Sequence, residues 1–270
     1  MENIQILNQV KQNKKYKTLS DELILSEIKE YLNKNNPKKI IKQDIKHIRS
    51  KLHRAYSTYQ TTKKNKIQLL LNQLKQNPES LDIINKILSS NISTKERLDD
   101  YKFIYNKIFQ ITDKPKSIID LGCGLNPISF PYMNLQSLIY YAYDIDEQDI
   151  KFLNEFFNIM KNKIKGKAEI LNLRDFKKIS NLPPSDIIFL WKIIDLIDID
   201  NHKPSEELIN FLFNKNKAKF IVASFATKTI TRKQMNFPKR KWFEFMLKRN
   251  NLDFKTFQTK NEIFYIISRI

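Results

Sequence analysis

Two acidic residues and two glycines, close together in the sequence, have the spacing of a site for a small cofactor. Asp120 lies near the end of the apolar run Ser117–Leu121, and Gly122 and Gly124 follow this run. A carboxylate in this position could bind an amine. Asp144 ends a second apolar run roughly 20 residues beyond the glycines, where an acid commonly holds the two hydroxyls of a ribose. The pattern therefore indicates a ligand with an amine and a ribose.

Glycine use supports this interpretation. The chain contains 3 glycines, and two of them are Gly122 and Gly124. Glycine adopts positive φ without strain and leaves space where a side chain would block a ligand. The same residues could also form a sharp strand-to-helix turn without any ligand, but the two nearby acids favour a binding site.

The turn sequence limits the kind of cofactor. The phosphate-binding signature GxxxxGK[ST] is absent, and GxGxxG is interrupted because position 127 is Pro127. This disfavours ATP and NAD. A cofactor without a pyrophosphate is favoured, and S-adenosylmethionine (SAM) fits.

The elements around these residues alternate between strand and helix from Lys116 onward. The last two strands are joined by a short link and predict a hairpin. We expect an α/β fold with a Rossmann-like sheet and an antiparallel last strand in residues 111–270. The carboxyl ends of the strands would bring Asp120, Gly122, Asp144, Asn172 and Lys192 to one rim. Strands are predicted at 117–121, 138–143, 168–172, 186–191, 218–225, 253–258 and 262–268, and helices near 127–134, 147–162, 205–215 and 238–250.

Residues 1–110 predict an all-helical N-terminal domain. Apolar residues recur at helical spacing after a capping sequence at Thr18–Asp21. Ser93 and Glu96 have the spacing of a capping box, and the helix that follows is predicted to continue through Ile108. Arg97 on that helix could form a surface ion pair or could bind a carboxylate bidentately.

Positive charge is the dominant feature of the composition. The formal net charge is +19, which favours a polyanionic partner: nucleic acid first, an anionic membrane surface second. A uniformly lysine-rich composition is the simpler explanation, but the charge is clustered, because Asp44 is the only acid between residues 31 and 66. The second predicted helix there could lie along RNA phosphates or be a solvated helix face. Its basic residues are a stripe of Lys42, Lys46 and Arg49, with Lys51 and Arg54 further round.

Several classes of protein are disfavoured. One cysteine and 3 histidines give no disulfide framework and no recognisable metal site. No apolar run reaches the length of a membrane span, and the first residues lack the apolar core of a signal peptide. We expect a cytoplasmic monomer without metal or membrane contact.

Five stretches of sequence match the motifs of one enzyme family. They are KLHRAY from Lys51, STKERL from Ser93, DLGCGLNP from Asp120, WKIIDL from Trp191 and SFATKT from Ser224. With these motifs the sequence resembles the aminoglycoside-resistance 16S rRNA (guanine-N7) methyltransferases of the Arm/Rmt/Sgm type.

The resemblance implies a fold and an activity. It implies a helical RNA-binding domain, a Rossmann-like SAM domain and methylation of one guanine in the decoding region of 16S rRNA in the 30S subunit. Aminoglycoside resistance would follow. Alternatives are a methyltransferase of another rRNA or tRNA site and a non-catalytic RNA-binding relative. A protein or small-molecule methyltransferase fits the charge clusters poorly.

The resemblance also assigns residues. Within the STxER motif it places Thr94 and Arg97 at the cofactor, with the arginine holding the SAM carboxylate. Asp144 and Ile145 match the ribose and adenine positions. Asn172 and Leu173 match the adenine edge, with Arg174–Asp175 as an alternative register. Lys192 falls on the lysine of the fourth-strand motif. The loop from Lys228 to Met235 is associated with the RNA target, which adds Lys228, Arg232 and Lys233 to the RNA-binding set.

The implied reaction needs positioning more than acid–base chemistry. Guanine N7 has a free lone pair at neutral pH, so we expect no general base and no catalytic proton carrier. The target base should be flipped out of its helix. Trp191, Phe225 and Phe237 could clamp it, although buried packing is the more common role of aromatic residues.

Overall fold

The structure is a computed structural model that describes residues 2–37, 40–56, 64–198, 201–216, 218–228 and 233–270. Within these ranges a helical part precedes the alternating strands and helices. The helical part comprises α1 (Glu2–Lys11), a 3-10 turn (Lys14–Tyr16), α2 (Asp21–Asn35), α3 (Lys42–Tyr56), α4 (Lys64–Gln76), α5 (Leu81–Leu88), α6 (Ile92–Arg97) and α7 (Tyr101–Thr112).

The remainder of the chain forms the sheet and its covering helices. Its elements are β1 (Ser117–Leu121), a 3-10 helix (Asn126–Met133), β2 (Leu138–Asp144), α8 (Glu147–Ile159), β3 (Ile164–Ile170), α9 (Phe176–Ile179), β4 (Ile187–Trp191), α10 (Ile194–Ile197), α11 (Lys203–Asn214), β5 (Phe220–Ala226), α12 (Lys241–Arg249), β6 (Leu252–Gln258) and β7 (Glu262–Arg269).

The strands form one mixed sheet in the order β3-β2-β1-β4-β5-β7-β6. Strands β1 to β5 are parallel, and β7 lies antiparallel between β5 and β6. Ala226 at the end of β5 therefore pairs with Glu262 at the start of β7. The predicted Rossmann-like fold and the terminal hairpin are confirmed.

Burial on both faces explains the sequence of the central strands. The run Ile187–Trp191 is buried throughout, as expected of a parallel strand covered on both sides. One apolar cluster lies on the face covered by α4, α5, α7 and α8. A second lies on the face covered by α10, α11 and α12. Both clusters leave the carboxyl ends of the parallel strands at one edge.

The N-terminal helices divide between two apolar units. Helices α1 to α3 share their own cluster, which includes Val10, Leu23, Ile28 and Leu52. Helices α4, α5 and α7 instead pack into the cluster that contains the sheet residues Ile118 and Phe189. The division at residue 110 remains a prediction, because apolar packing crosses it.

Three predicted elements differ from the structure. Strand β3 begins at Ile164 rather than at 168, and its whole length pairs with β2. The helix predicted to continue through Ile108 is split, because α6 ends at Arg97 and α7 begins at Tyr101. The helix predicted at 127–134 is a 3-10 helix with Pro131 inside it.

One predicted cap is confirmed and another is wrong. Ser20 caps α2 and accepts a hydrogen bond from the Leu23 amide at 3.4 Å. The proposed capping box does not form, because Asn91 caps α6 by accepting from the Ser93 amide at 2.9 Å. Glu96 binds Lys192 instead, with 2.7 Å between Oε2 and Nζ.

Neither a membrane-spanning helix nor a metal-binding group occurs in the part of the chain that the structure describes. Its helices are too short or too polar to cross a bilayer. Its His, Cys, Asp and Glu residues form no cluster of three that could hold an ion.

Candidate active site

A single pocket at the carboxyl edge of the parallel strands brings the predicted cofactor residues together. It encloses about 1120 Å³, counting the part open to solvent. This space is ample for a nucleoside cofactor. All ten predicted residues line it: Thr94, Arg97, Asp120, Gly122, Gly124, Asp144, Ile145, Asn172, Leu173 and Lys192.

The glycine turn is hydrogen-bonded to the end of β2. Gly122 and Gly124 have φ values of +70° and +49°, which explains the residue type at both positions. The Gly124 amide donates to Asp144 Oδ2 at 2.7 Å, and the Gly122 amide donates to the Tyr143 carbonyl at 2.8 Å. A β-carbon at Gly122 would lie 2.7 Å from Ile193 Cδ1. The turn thus brings bare backbone against the pocket.

Asp144 is held by backbone amides. Its Oδ1 accepts from the Ile145 amide at 2.7 Å and from the Asp146 amide at 3.1 Å, in addition to the Gly124 bond. Burial raises the pKa of this carboxyl, although the amide donors act in the opposite direction. A carboxylate has about four acceptor sites, so one remains for a ligand hydroxyl.

Asp120 is buried with one oxygen already bonded. Asn126 Nδ2 at 2.9 Å and the Tyr140 hydroxyl at 2.7 Å both donate to Oδ2. Burial raises the pKa of Asp120 to about 6, against the effect of these two donors. The arrangement leaves Oδ1 to accept from a cationic group in the pocket.

Arg97 forms a buried ion pair that the sequence did not reveal. Its Nε and Nη2 donate to the two carboxylate oxygens of Glu262, each at 2.8 Å. The side chains of Arg97 and Glu262 are 4% and 0% exposed. The guanidinium carbon lies 4.9 Å from the ring centre of Trp191. The alternative of a surface ion pair is therefore wrong, and Arg97 belongs to the pocket wall.

Glu262 lies between the two cations of this wall, Arg97 and Lys192. Lys192 Nζ lies 3.5 Å from Glu262 Oε2, and the Ser224 hydroxyl donates to Oε1. Burial favours the neutral acid, but Arg97 and Lys192 outweigh it and lower the pKa of Glu262. Burial likewise opposes the charge of Arg97, yet Glu262 raises the pKa of that guanidinium. Both groups are therefore charged.

Only one signal in the sequence pointed to Glu262. It is an acid at the first residue of the second hairpin strand, directly before an apolar run. The predicted hairpin placed that residue near the rim, but nothing linked it to Arg97.

The far side of the pocket is mostly apolar. Ile145 and Leu173 line it together with Leu19, for which no motif or spacing in the sequence is a signal. Asn172 is buried, and its Oδ1 accepts from the Arg174 amide at 3.0 Å. Asp175 caps α9 instead of lining the pocket. Arg174 also lines the pocket, so the choice between the Asn172–Leu173 and Arg174–Asp175 registers remains a prediction.

Thr94 contributes to the wall without offering its hydroxyl. The hydroxyl donates to the carbonyl of Leu88 and lies 3.2 Å from the carbonyl of Asn91. Thr94 therefore fixes the turn between α5 and α6 and so positions Arg97.

Comparison with known proteins identifies the group to which this pocket belongs. A family model described as ribosomal RNA methyltransferase (FmrO) matches residues 13–266. The chain belongs to this family. The resemblance found from the five motifs is thereby confirmed.

Individual relatives of this FmrO-family chain cover nearly its whole length. A 16S rRNA (guanine(1405)-N(7))-methyltransferase from Proteus mirabilis is 26% identical over 95% of the chain and 93% of its own length. The structure of the 16S rRNA methylase ArmA is 28% identical, with a TM-score of 0.57 over 76% of the chain and 98% of its own. The structure of the 16S rRNA methyltransferase RmtF in complex with S-adenosyl-L-homocysteine shares the fold, with a TM-score of 0.80, 21% identity and coverage of 99% and 98%.

The basic stripe predicted on α3 of this FmrO-family chain is only partly exposed. Lys42 and Lys46 are exposed. Arg49 turns toward α1, where its Nε donates to the Val10 carbonyl at 3.4 Å. Lys51 pairs with Glu27 and Glu30 at 3.0 and 2.6 Å. Arg49 and Lys51 are thus engaged within the helical region, and their role in RNA binding remains a prediction.

The remaining predicted RNA residues follow β5. Lys228 is half-buried, and its backbone forms an isolated antiparallel β-bridge with Gln234. Lys233 is exposed. Arg232 and the side chain of Arg54 lie outside the described residues.

Two of the three aromatic clamp candidates are core residues. Trp191 and Phe225 are 5% and 0% exposed, as the more common role of aromatic residues predicts. Phe237 is 86% exposed. Trp191 nevertheless lines the pocket, and Phe237 is the one of the three with an exposed ring.

Proposed function

We propose that this FmrO-family methyltransferase transfers the methyl group of SAM to N7 of a guanine in the decoding region of 16S rRNA, acting as a monomer on the 30S subunit. Modification there would give aminoglycoside resistance. The observation that carries the proposal is the single pocket that joins a bare glycine turn, two carboxylates and a buried arginine, in a chain of this family.

The donor set of the pocket fits SAM. Asp144 has an acceptor site for the ribose, and Asp120 Oδ1 can accept from the ammonium group. Arg97 is the cation for the carboxylate, although Glu262 already engages its Nε and Nη2. Leu19, Ile145 and Leu173 supply an apolar slot for the adenine, and Asn172 supplies a polar edge.

The residues of the chain act by positioning. Bound SAM supplies an electrophilic methyl group, and guanine N7 needs no deprotonation before it attacks. Asp120 and Asp144 are each fixed by at least two hydrogen bonds, so the cofactor contacts are held before the substrate arrives. Alignment of two reactants in this way accounts for large rate enhancements without acid–base catalysis.

The basic surface supports ribosomal RNA as the substrate. N7 lies in the deep groove of A-form RNA, so the base has to leave its helix to reach the pocket. Phe237 provides an exposed face for stacking, in a segment that also contains Lys233 and Lys239. Lys42 and Lys46 provide phosphate contacts on the helical region.

The decisive experiment maps methylation on 30S subunits. Subunits from a sensitive strain are incubated with the protein and SAM, and N7-methylguanine is located by borohydride–aniline cleavage and primer extension. We expect one stop in the decoding region, which is weaker with Asp144→Ala when SAM is limiting. A stop at another rRNA position, or methylation of tRNA alone, would support the alternative substrate.

Cofactor binding separates an enzyme from a non-catalytic relative. Calorimetry with S-adenosylhomocysteine (SAH) should give measurable binding for the wild type. Asp144→Ala should weaken it about tenfold, which is roughly 1.4 kcal/mol. Absence of SAH binding to the wild type would favour a vestigial fold that binds RNA only.

A further inference from the structure

The N-terminal helical region forms part of the cofactor pocket itself. The segment before α2 pairs with the segment after β2, since the Ser20 amide donates to the Ile145 carbonyl at 3.0 Å. The Thr18 hydroxyl donates to Asp146 Oδ2 at 2.6 Å. Leu19, between them, lines the pocket. A segment upstream of the predicted RNA-binding helix α3 thus closes the apolar side of the cofactor site.

A second connection runs through Arg174 on the loop after β3. Its Nη1 donates to Glu27 Oε1 at 2.8 Å and to Glu30 Oε2 at 3.0 Å, both on α2. Its backbone amide donates to Asn172 Oδ1 at 3.0 Å. Arg174 itself lines the pocket, and it contacts the N-terminal helices with its side chain and the predicted adenine edge with its backbone amide.

The ion pair between Arg174 and Glu27 involves a buried carboxylate, so we expect its loss to lower stability. The Glu27 side chain is only 3% exposed, and its charge is met by Arg174 and by Lys51. Removal of one cation from a buried carboxylate costs far more than loss of a surface pair. The contact therefore favours one arrangement of α2 against the loop.

A third contact completes the connection to the RNA side. Helix α3, which carries the exposed Lys42 and Lys46, packs against α10. Ile197 at the end of α10 lines the pocket. The segments that follow β2, β3 and β4 are thus all in contact with the N-terminal region.

We propose that Arg174 is a positioning residue that ties the N-terminal helices to the adenine side of the pocket, so that the 30S subunit and the cofactor strengthen each other's binding. The inference rests on the proposed function, because it takes 30S as substrate and SAM as cofactor. Coupling between two binding equilibria is reciprocal. Occupancy of the pocket thus favours the helix arrangement that meets the ribosome.

The test measures SAH affinity with and without saturating 30S subunits. We expect 30S to tighten SAH binding to the wild type by about fivefold or more, the lower end of usual coupling. Arg174→Gln should weaken SAH binding in the free protein. It should also bring the 30S ratio, the SAH affinity with 30S divided by that without, near one. Arg174→Lys keeps the positive charge and should retain part of the wild-type ratio. Lys178→Gln is the matched control, because its pair with Glu22 crosses the same interface but is exposed on both sides.

The outcomes are distinguishable. If the wild type binds SAH but its 30S ratio is near one, or if Arg174→Gln keeps the wild-type affinity and the wild-type ratio, the proposal is overturned and the proposed function stands. If the wild type binds no SAH, the proposed function itself fails. Should Arg174→Gln fail to fold, Thr18→Val removes the bond to Asp146 with little change in shape, and the same ratio decides. An unchanged ratio in Thr18→Val overturns the proposal, and a lowered one supports it.

Discussion

Asp120 lies at the end of β1, where burial raises the pKa of its carboxyl to about 6. A cationic ligand group favours the ionised form. The ionised fraction rises about tenfold between pH 5 and pH 7 for a group with this pKa. We therefore expect SAH affinity, measured by calorimetry, to increase by about tenfold over this range. Asp120→Asn should weaken binding and reduce the dependence on pH, leaving only the part that other groups such as Asp144 contribute. An equal pH profile in both proteins would exclude Asp120 as the ammonium partner.

Glu262 carries the strongest stability prediction among the single residues. Glu262→Gln leaves Arg97 buried with a neutral partner, and loss of one member of a buried pair typically costs about 3 kcal/mol or more. We expect a loss of this size in urea unfolding, together with weaker SAH binding. Glu79→Gln, which breaks the exposed pair with Lys163, should cause little change. Similar losses in both variants would contradict the assigned role of the buried pair.

Strand β3 depends on a glycine that lies outside the pocket. A β-carbon at Gly166 would lie 2.3 Å from the Phe157 ring of α8, which is itself buried. Overpacking of this kind typically costs about 1–3 kcal/mol. Gly166→Ala should therefore lower the free energy of unfolding by about 2 kcal/mol without changing SAH affinity at low temperature. Lys165→Ala, at the adjacent exposed position, is the control. An unaltered unfolding curve for Gly166→Ala would show that the Phe157 ring can shift to accommodate a β-carbon at little cost.

The same strand shows why part of the fold was hard to predict. Its inward positions are Ile164, Gly166, Ala168 and Ile170, and the two small residues make the run look polar. The pattern therefore predicted a start at 168, although the register with β2 fixes it at Ile164. Strands β1 and β4 were predictable because large apolar residues cover both faces. The glycine turn and Asp144 were predictable for a similar reason, since their signal is local.

The contacts that complete the site join distant parts of the sequence. Arg97 and Glu262 are separated by 165 residues, and Arg174 and Glu27 by 147. No periodicity or short motif connects such pairs. For this reason Arg97 has two open roles when only the sequence is considered, and Leu19 has no signal at all. The family resemblance named Arg97 as a cofactor ligand, but only the structure shows that Glu262 holds it.

At the scale of the whole molecule, charge distribution governs the encounter with RNA. Lys42 and Lys46 are exposed, whereas Arg49 is bound to carbonyls of α1. We expect the double change Lys42→Gln and Lys46→Gln to weaken 30S binding and to reduce the slope of log K against log salt by about 2. Filter binding at several salt concentrations measures the slope. Lys161→Gln with Lys165→Gln provides a control pair of exposed lysines. An unchanged slope in the first pair would remove α3 from the interface.

The pairing of Arg97 with a residue on β7 has a consequence for the timing of activity. During translation, Arg97 is made long before Glu262, so its guanidinium first emerges without a counter-charge. Until β7 inserts between β5 and β6, the guanidinium remains hydrated and the wall that it forms is incomplete. A nascent chain halted before the final hairpin is therefore expected to be unable to bind its cofactor and to methylate RNA.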